Sequence, residues 1–225
     1  MYYSKTMYKN LQENFGPDII GKKLGYKQIS RKLNKIFKKD GIKIRTYQDR
    51  SMTGDDAEYF YFSGYFDPDE KIHPINIFIH LEPKKRYFHF TEKNYSIFIF
   101  GLSQTIQHEL IHLSQHSFKP SDSELLVDVR YTKTLSKSRK VKIDYLREWD
   151  EIEAYAHDIA MELNYYYKDY DSKLLLKKID ELPDVSTYRY YKEAFRGTKW
   201  GRVRKVLLKK VWRWMPHAEV PNFIE

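Results

Sequence analysis

The 225-residue chain contains no cysteine. Disulfides, thiolate zinc sites and cysteine nucleophiles are therefore excluded, and any metal ion bound by side chains must be held by His, Asp or Glu. Long apolar runs are also missing: the longest extends from Ile97 to Leu102, far short of the ~20 residues that a membrane span needs. The polar segment from Met1 to Asn14 lacks the apolar core of a secretory signal, so we expect a cytoplasmic protein.

The chain does contain ample material for a packed core, together with a basic surface. Hydrophobic residues make up 41% of the sequence and aromatic residues 16%, enough for one sizeable domain. Lysine and arginine number 40 against 31 acidic residues, which gives a formal charge of +9. A basic chain can bind nucleic acid. Lysine is spread from Lys5 to Lys210, however, and this favours an ordinary solvated surface over a nucleic-acid partner.

Hydrophobic periodicity in the first half predicts one helix followed by strands. Ile29, Leu33 and Ile36 recur at helical spacing within residues 27–39, and Asp40 and Gly41 end that helix. The strands are expected at Ile42–Tyr47, Tyr59–Phe66 and Ile75–Leu81, with a loop over Ser51–Asp56 and a hairpin turn at Asp67–Asp69.

The second half is predicted to be mostly helical. We expect helices over Ser96–Ser117 and 144–167, an irregular segment over 118–140, and two or three helices within 171–215, interrupted near Pro183 and Gly197. The fold class is therefore α+β, with a small, mostly antiparallel sheet packed on a helix and a helical C-terminal half. We expect one domain over residues 1–170 and a helical extension over 171–225 that packs on it.

The sequence His108-Glu109-Leu110-Ile111-His112 lies within the first of these helices. His108 and His112 are one turn apart, about 40° around the axis, so both imidazoles point to one place and can share a zinc ion. Glu109, about 100° from His108, is poorly placed as a ligand but can accept a proton from an attacking water as general base. Polar residues such as Gln115 share the histidine face, which favours a helix that lines a cleft.

The third zinc ligand must come from another part of the chain. His116 is two turns from His108, about 12 Å along the axis, and the two cannot share one ion. The helix over 144–167 offers several carboxylates around an apolar stripe. Glu148 and Glu153 border the stripe, whereas Glu151 groups with Asp158 and Glu162 and is expected to face solvent.

His108–His112, followed by the EIEAYA segment at residues 151–156, resembles the zincin metallopeptidases, in the gluzincin branch with a glutamate third ligand. The Glu-x-Glu-Ala pattern is similar to that of ImmA/IrrE-like peptidases and of metallopeptidase-like proteins of tailed phages, over about residues 56–163. The resemblance implies a zincin-like fold, Zn²⁺ as cofactor and a polypeptide substrate. Glu153, directly before the alanine, is implied as third ligand beside the two histidines. Ile75–Leu81 is then a sheet-edge strand that pairs with substrate, with a plain core strand as the alternative.

Other functions remain open for the same residues. A zincin-shaped phage structural or host-takeover protein with little catalysis is one, acting in the host cytoplasm or the virion. The chain also resembles the SprT-like DNA-associated proteases, in which a third histidine completes the site; His157 would suit that group, but a zinc ribbon is impossible without cysteine. The basic tail over 198–214 is predicted to dock as a terminal helix rather than to bind nucleic acid, an acidic partner or a membrane surface.

Overall fold

The structure is a computed structural model and describes residues 4–49, 60–83, 86–118, 139–197 and 200–218. Within these ranges the chain has the α+β class predicted from the sequence. The helices are α1 (Ser4–Phe15), α2 (Tyr26–Ile36), α3 (Glu92–Phe118), α4 (Arg139–Leu146), α5 (Trp149–Tyr166), α6 (Ser172–Lys178), α7 (Ser186–Ala194) and α8 (Trp200–Trp214). The strands are β1 (Lys23–Gly25), β2 (Ile42–Gln48), β3 (Phe60–Phe66), β4 (Ile75–Leu81) and β5 (Tyr87–His89).

The chain forms two compact units that divide within α3, after Leu113. The first unit holds the strands together with α1, α2 and most of α3, and the second begins at Ser114 and holds α4 to α8. The predicted boundary between a catalytic domain over residues 1–170 and a helical extension over 171–225 stays a prediction.

A three-stranded sheet in the order β2–β4–β3 forms the centre of the first unit. The central strand β4 is parallel to β2 and antiparallel to β3, and the hairpin predicted between β3 and β4 is confirmed by the pairing of Phe66 with Ile75. The prediction that Ile75–Leu81 forms a sheet edge is wrong, because this strand pairs on both sides. Strands β1 and β5 form a separate antiparallel pair.

The two faces of this sheet differ in character because successive side chains of a strand point to opposite sides. The buried face carries isoleucines and one leucine of β2 and β4, each no more than 2% exposed: Ile42, Ile44, Ile75, Ile77, Ile79 and Leu81. The opposite face carries tyrosines, Tyr47 and Tyr61, that are 45% and 43% exposed. Only the buried face therefore contributes to the hydrophobic core.

Helix α3 packs against the buried face, with Phe98 in contact with strand β3. Its ring centre lies 5.3 Å from those of Phe60 and Phe62. A Cβ atom at Gly101 would lie 2.8 Å from the Phe62 ring, closer than side chains allow. A glycine at this position therefore permits the close approach of helix and strand.

Helix α5 is the core of the second unit and is buried around most of its circumference. From Glu151 to Leu163, every residue is buried except Glu153 and Tyr155, which are half-buried. Helices α7 and α8 pack on different sides of it, as the contacts of Tyr155 with Tyr191 and of His157 with Trp214 show. Among the described helices, none has the length and apolar character needed to cross a membrane.

Most elements predicted from periodicity are present near their expected positions. The three tail helices are confirmed as α6, α7 and α8, with breaks that include Pro183 and Gly197. The helix predicted over 144–167 is instead two helices, because Glu148 between α4 and α5 adopts an extended conformation (φ −60°, ψ 140°). The predicted loop at Ser51–Asp56 and residues 119–138 of the irregular segment lie outside the described residues.

Candidate metal centre

The two predicted histidine ligands lie side by side on α3. The ring centres of His108 and His112 are 4.9 Å apart, with the ring planes at 70°. His108 is only 9% exposed and His112 is half-buried. The one-turn spacing therefore produces the expected pair of neighbouring imidazoles, of which His108 is the better shielded from bulk water.

Glu109, the predicted general base, points towards strand β3. A Cβ atom at Gly64 would lie 2.8 Å from Oε1 of Glu109 and 2.9 Å from its Cγ. The Glu109 side chain therefore occupies the space that a side chain at position 64 would need. Glu109 is 6% exposed. The absence of a side chain at Gly64 thus allows a buried glutamate to lie between helix and sheet.

The last turn of α3 contacts the first turn of α5. Nε2 of Gln115 donates a hydrogen bond to the backbone carbonyl oxygen of Asp150 at 3.2 Å. Gln115 shares the histidine face of its helix, as predicted from the sequence. This hydrogen bond therefore fixes that face of the last turn against the start of α5, where Glu151 follows Asp150.

Glu151 is buried, at 4% exposure, so the prediction that it faces solvent is wrong. Phenol groups of α5 and α7 lie close enough to respond to its charge: those of Tyr155, Tyr190 and Tyr191. The pKa of each phenol is raised, first by burial and then by the negative charge of Glu151. The carboxylate of Glu151 thus lies in a buried, polar setting.

His108, His112 and Glu151 can hold one metal ion. A ligand atom from each of the three lies within 4.8 Å of the other two. Two imidazole nitrogens and one carboxylate oxygen are the protein donors of a catalytic zinc site, which keeps a further position open. The donor set therefore fits zinc and needs no cysteine.

Glu153, the ligand that the resemblance implies, is not in this group, which contains Glu151 instead. Glu153 faces α8: Nζ of Lys210 donates to its Oε2, and Nε1 of Trp214 donates to its Oε1 at 2.7 Å. Lys210 is 2% exposed, and its Nζ lies 3.4 Å from the ring centre of Trp149. A buried cation and an indole N–H therefore occupy both oxygens of Glu153.

The incorrect expectation that Glu151 faces solvent has a physical cause in the surroundings of α5. A single buried stripe is expected for a helix at the surface, but α5 is covered on more than one side. Its carboxylates divide accordingly. Glu153 accepts a hydrogen bond from α8, whereas Glu162 accepts one from α7. Glu151 lies on the α7 side as well, where its charge raises the pKa of Tyr190. The predicted grouping of Glu151 with Glu162 is correct, and only the environment assigned to that group is wrong.

The other candidates from the sequence occupy different positions. Glu148 and His116 are both exposed. The His157 ring packs edge-on against Trp214, with ring centres 4.9 Å apart, on the α8 side of α5. The alternative in which a third histidine completes the metal site thus gains no support from His157.

Comparison with known proteins yields no relative of this chain. No family model matches it, and the searches of curated proteins and of solved structures find no similar sequence or fold. The function must therefore be argued from the residues and their geometry.

Proposed function

We propose that this chain is a zinc-dependent metallopeptidase with a zincin-like fold. The observation that carries the proposal is the convergence of His108, His112 and Glu151, whose ligand atoms lie within 4.8 Å of one another. The general base predicted from the same motif, Glu109, is buried on the same helix, one residue from His108. Metal ligands and a neighbouring carboxylate are the groups that metal-assisted peptide hydrolysis requires.

These positions support a specific role for each residue. His108 and His112 would bind zinc through neutral imidazole nitrogens, and Glu151 through a carboxylate oxygen. When bound, zinc would polarise the peptide carbonyl and lower the pKa of water towards ~7. Glu109 would accept a proton from the attacking water and transfer it to the leaving amine as the C–N bond breaks.

Strand β3 is the best-placed element for a polypeptide substrate. It forms one edge of the three-stranded sheet in the described residues, and its Gly64 lies directly against Glu109. An extended peptide added to this edge would place its backbone beside the general base. The strand expected to have this role, Ile75–Leu81, lies one position further inside the sheet.

Metal content and proteolysis of the purified protein test the proposal together. We expect about one zinc per chain by elemental mass spectrometry and cleavage of denatured casein that a chelator abolishes. Glu109→Gln keeps the shape of the side chain without its basicity, so it should retain zinc while cleavage falls by at least ~10².

Each result of this experiment has a defined meaning. Loss of zinc in Glu109→Gln would make Glu109 a ligand and overturn its assignment as base. Undiminished cleavage in that variant would place the activity elsewhere. Zinc binding without any cleavage would instead favour the alternative of a zincin-shaped binding protein.

A further inference from the structure

A second group of reactive side chains lies on the outer face of the sheet, the face opposite α3. Oγ of Ser63 on β3 is 2.9 Å from Nε2 of His80 on β4, and Nδ1 of His80 is 3.4 Å from Oδ2 of Asp49, the residue that follows β2. The backbone N–H of Asp49 donates to the carbonyl oxygen of Leu81 at 2.9 Å, which anchors it beside the sheet. Serine, histidine and aspartate thus form a continuous chain across the outer face of the sheet.

The partners of His80 fix which ring nitrogen carries the proton. An ionised carboxylate only accepts hydrogen bonds, so Nδ1 beside Asp49 holds the proton and Nε2 presents its lone pair to the hydroxyl of Ser63. Burial lowers the pKa of His80, and the charge of Asp49 offsets this effect only in part. The imidazole is therefore neutral at pH 7 and able to accept a proton from serine.

Tyr61 holds both the imidazole and the carboxylate in place. Its ring stacks on that of His80 with centres 4.1 Å apart and planes at 4°, while its hydroxyl donates to Oδ2 of Asp49. The pKa of Tyr61 is raised to about 12, first by burial and then by this hydrogen bond, so the phenol remains a donor. Oδ2 of Asp49 thus faces both the tyrosine hydroxyl and the histidine ring.

Solvent reaches this cluster. The side chains of His80 and Asp49 are 20% and 19% exposed, and Ser63 is half-buried. A cation lies on the same face: the guanidinium of Arg45 is 5.8 Å from the ring centre of Phe78, which pairs with both Arg45 and Ser63 across the sheet. The guanidinium of Arg45 thus lies over the strand that separates it from Ser63, on the face of the sheet that a small molecule in contact with Ser63 would share.

We propose that Ser63 is the nucleophile of a second, metal-independent hydrolytic site that accepts small carboxylic esters, with His80 as general base and Asp49 as its orienting partner. In this proposal Arg45 stabilises the negative charge that develops on the carbonyl oxygen. This site is separate from the proposed metal centre, which uses the other face of the sheet.

The chemistry balances without any cofactor. Oγ of Ser63 attacks the ester carbonyl while its proton passes to Nε2 of His80, the bond to the alkoxide breaks, and the imidazolium returns the proton to the leaving alcohol. Water then gives a proton to Nε2 and its hydroxide attacks the acyl-serine. The carboxylic acid leaves, and Ser63 recovers its proton.

The test is labelling by a fluorophosphonate probe, with p-nitrophenyl acetate hydrolysis as a second readout. Both are measured in chelator-treated Glu109→Gln protein, so that the proposed metal centre contributes nothing. We expect a phosphonylated peptide containing Ser63, and a loss of at least ~10² in labelling and hydrolysis rates in Ser63→Ala and His80→Gln. Ser30→Ala, a half-buried serine on α2, is the matched control and should label like its parent protein.

Two results would overturn the proposal. One is labelling at another serine that persists in Ser63→Ala. The other is a thiol of unperturbed pKa and reactivity in Ser63→Cys. The introduced cysteine would be the only one in the chain, so its reaction can be measured without interference. We expect that thiol to react with iodoacetamide with an apparent pKa clearly below ~8.5 and to lose this reactivity in the His80→Gln background. A thiol of ordinary pKa, unaffected by His80→Gln, would show that no base acts at this position.

Discussion

Glu151 and Glu153 are separated by one residue on α5, yet they belong to different parts of the protein. Glu151 lies with the two histidines, whereas Glu153 is paired with Lys210 and Trp214 of α8. A helix that turns by 100° per residue moves side chains two positions apart to nearly opposite sides. The proposed metal binding by Glu151 and the structural role of Glu153 can therefore be tested separately.

Glu151→Gln is expected to weaken zinc binding by more than ~10², because a ligand carboxylate is lost and even changes to the residues behind the ligands cost 10–100-fold. Glu153→Gln should retain zinc at the wild-type stoichiometry. Isothermal titration with zinc, at a temperature where both variants are folded, measures the difference. If Glu153→Gln lost the metal while Glu151→Gln kept it, the original assignment from the sequence would be restored.

Glu153→Gln is expected to destabilise the fold instead, by about 2–4 kcal/mol, since it leaves the ammonium group of Lys210 buried without its carboxylate. Lys192→Met is the matched control. Lys192 pairs with Asp180 at 2.7 Å, but both side chains are more than a third exposed, so its removal should cost less than ~1 kcal/mol. Urea denaturation of both variants checks the prediction, and equal losses of unfolding free energy would contradict it.

Gly64→Ala should impair catalysis without removing the metal. The new Cβ atom would approach both Oε1 and Cγ of Glu109 to less than 3 Å, so the carboxylate must move. We expect kcat for peptide cleavage to fall at least ~10-fold, since general-base catalysis depends on the position of the base. Gly201→Ala on α8 meets no atom within 4 Å and should leave kcat unchanged. Wild-type activity in Gly64→Ala would show that the position of Glu109 is unimportant.

Glu162 makes the stability of the second unit depend on pH. Its carboxylate accepts hydrogen bonds from the hydroxyls of Ser186 and Thr187, each at 2.8 Å, and from the backbone N–H of Thr187. Burial nevertheless raises its pKa from 4.5 to about 7, against the effect of these hydrogen bonds, and the charge of Asp158 adds to the increase. The folded state therefore retains a proton that the unfolded chain releases.

A raised carboxyl pKa means that stability is lost as pH rises from about 4.5 to about 7 and is constant above this window. At 1.36 kcal/mol per pKa unit, the loss is about 3 kcal/mol. Glu162→Gln carries no such proton, so the difference in unfolding free energy between variant and wild type should shift by about this amount across the window. Urea denaturation at a series of pH values measures it. Parallel pH profiles for the two proteins would rule out titration of Glu162 in this range.

The histidine pair could be predicted from the sequence because its geometry is local. His108 and His112 are placed by the helix that contains them, and any α-helix through this segment makes them neighbours. The hairpin of β3 and β4 is equally local, since only residues 67–74 separate the two strands in the chain. These features need no knowledge of what covers the helix or the sheet.

The third ligand could not be chosen in the same way, because it depends on distant partners. Glu153 borders the apolar stripe as predicted, but Lys210, 57 residues further along the chain, occupies it. Periodicity reports that one side of a helix is apolar, and it does not report that a second side is covered by another helix. The hydroxyls of Ser186 and Thr187, which cover the Glu162 side, likewise come from beyond α5.

Strand β3 presents consecutive residues to opposite sides of the sheet, with Gly64 against Glu109 and Ser63 against His80. Deleting one residue before Ser63 would exchange these sides, placing the serine side chain against α3 and the glycine beside the imidazole. Substitutions elsewhere in the strand leave both positions in place. In a set of natural variants, this strand should therefore tolerate changes of residue type outside Ser63 and Gly64 but no change of length by one residue.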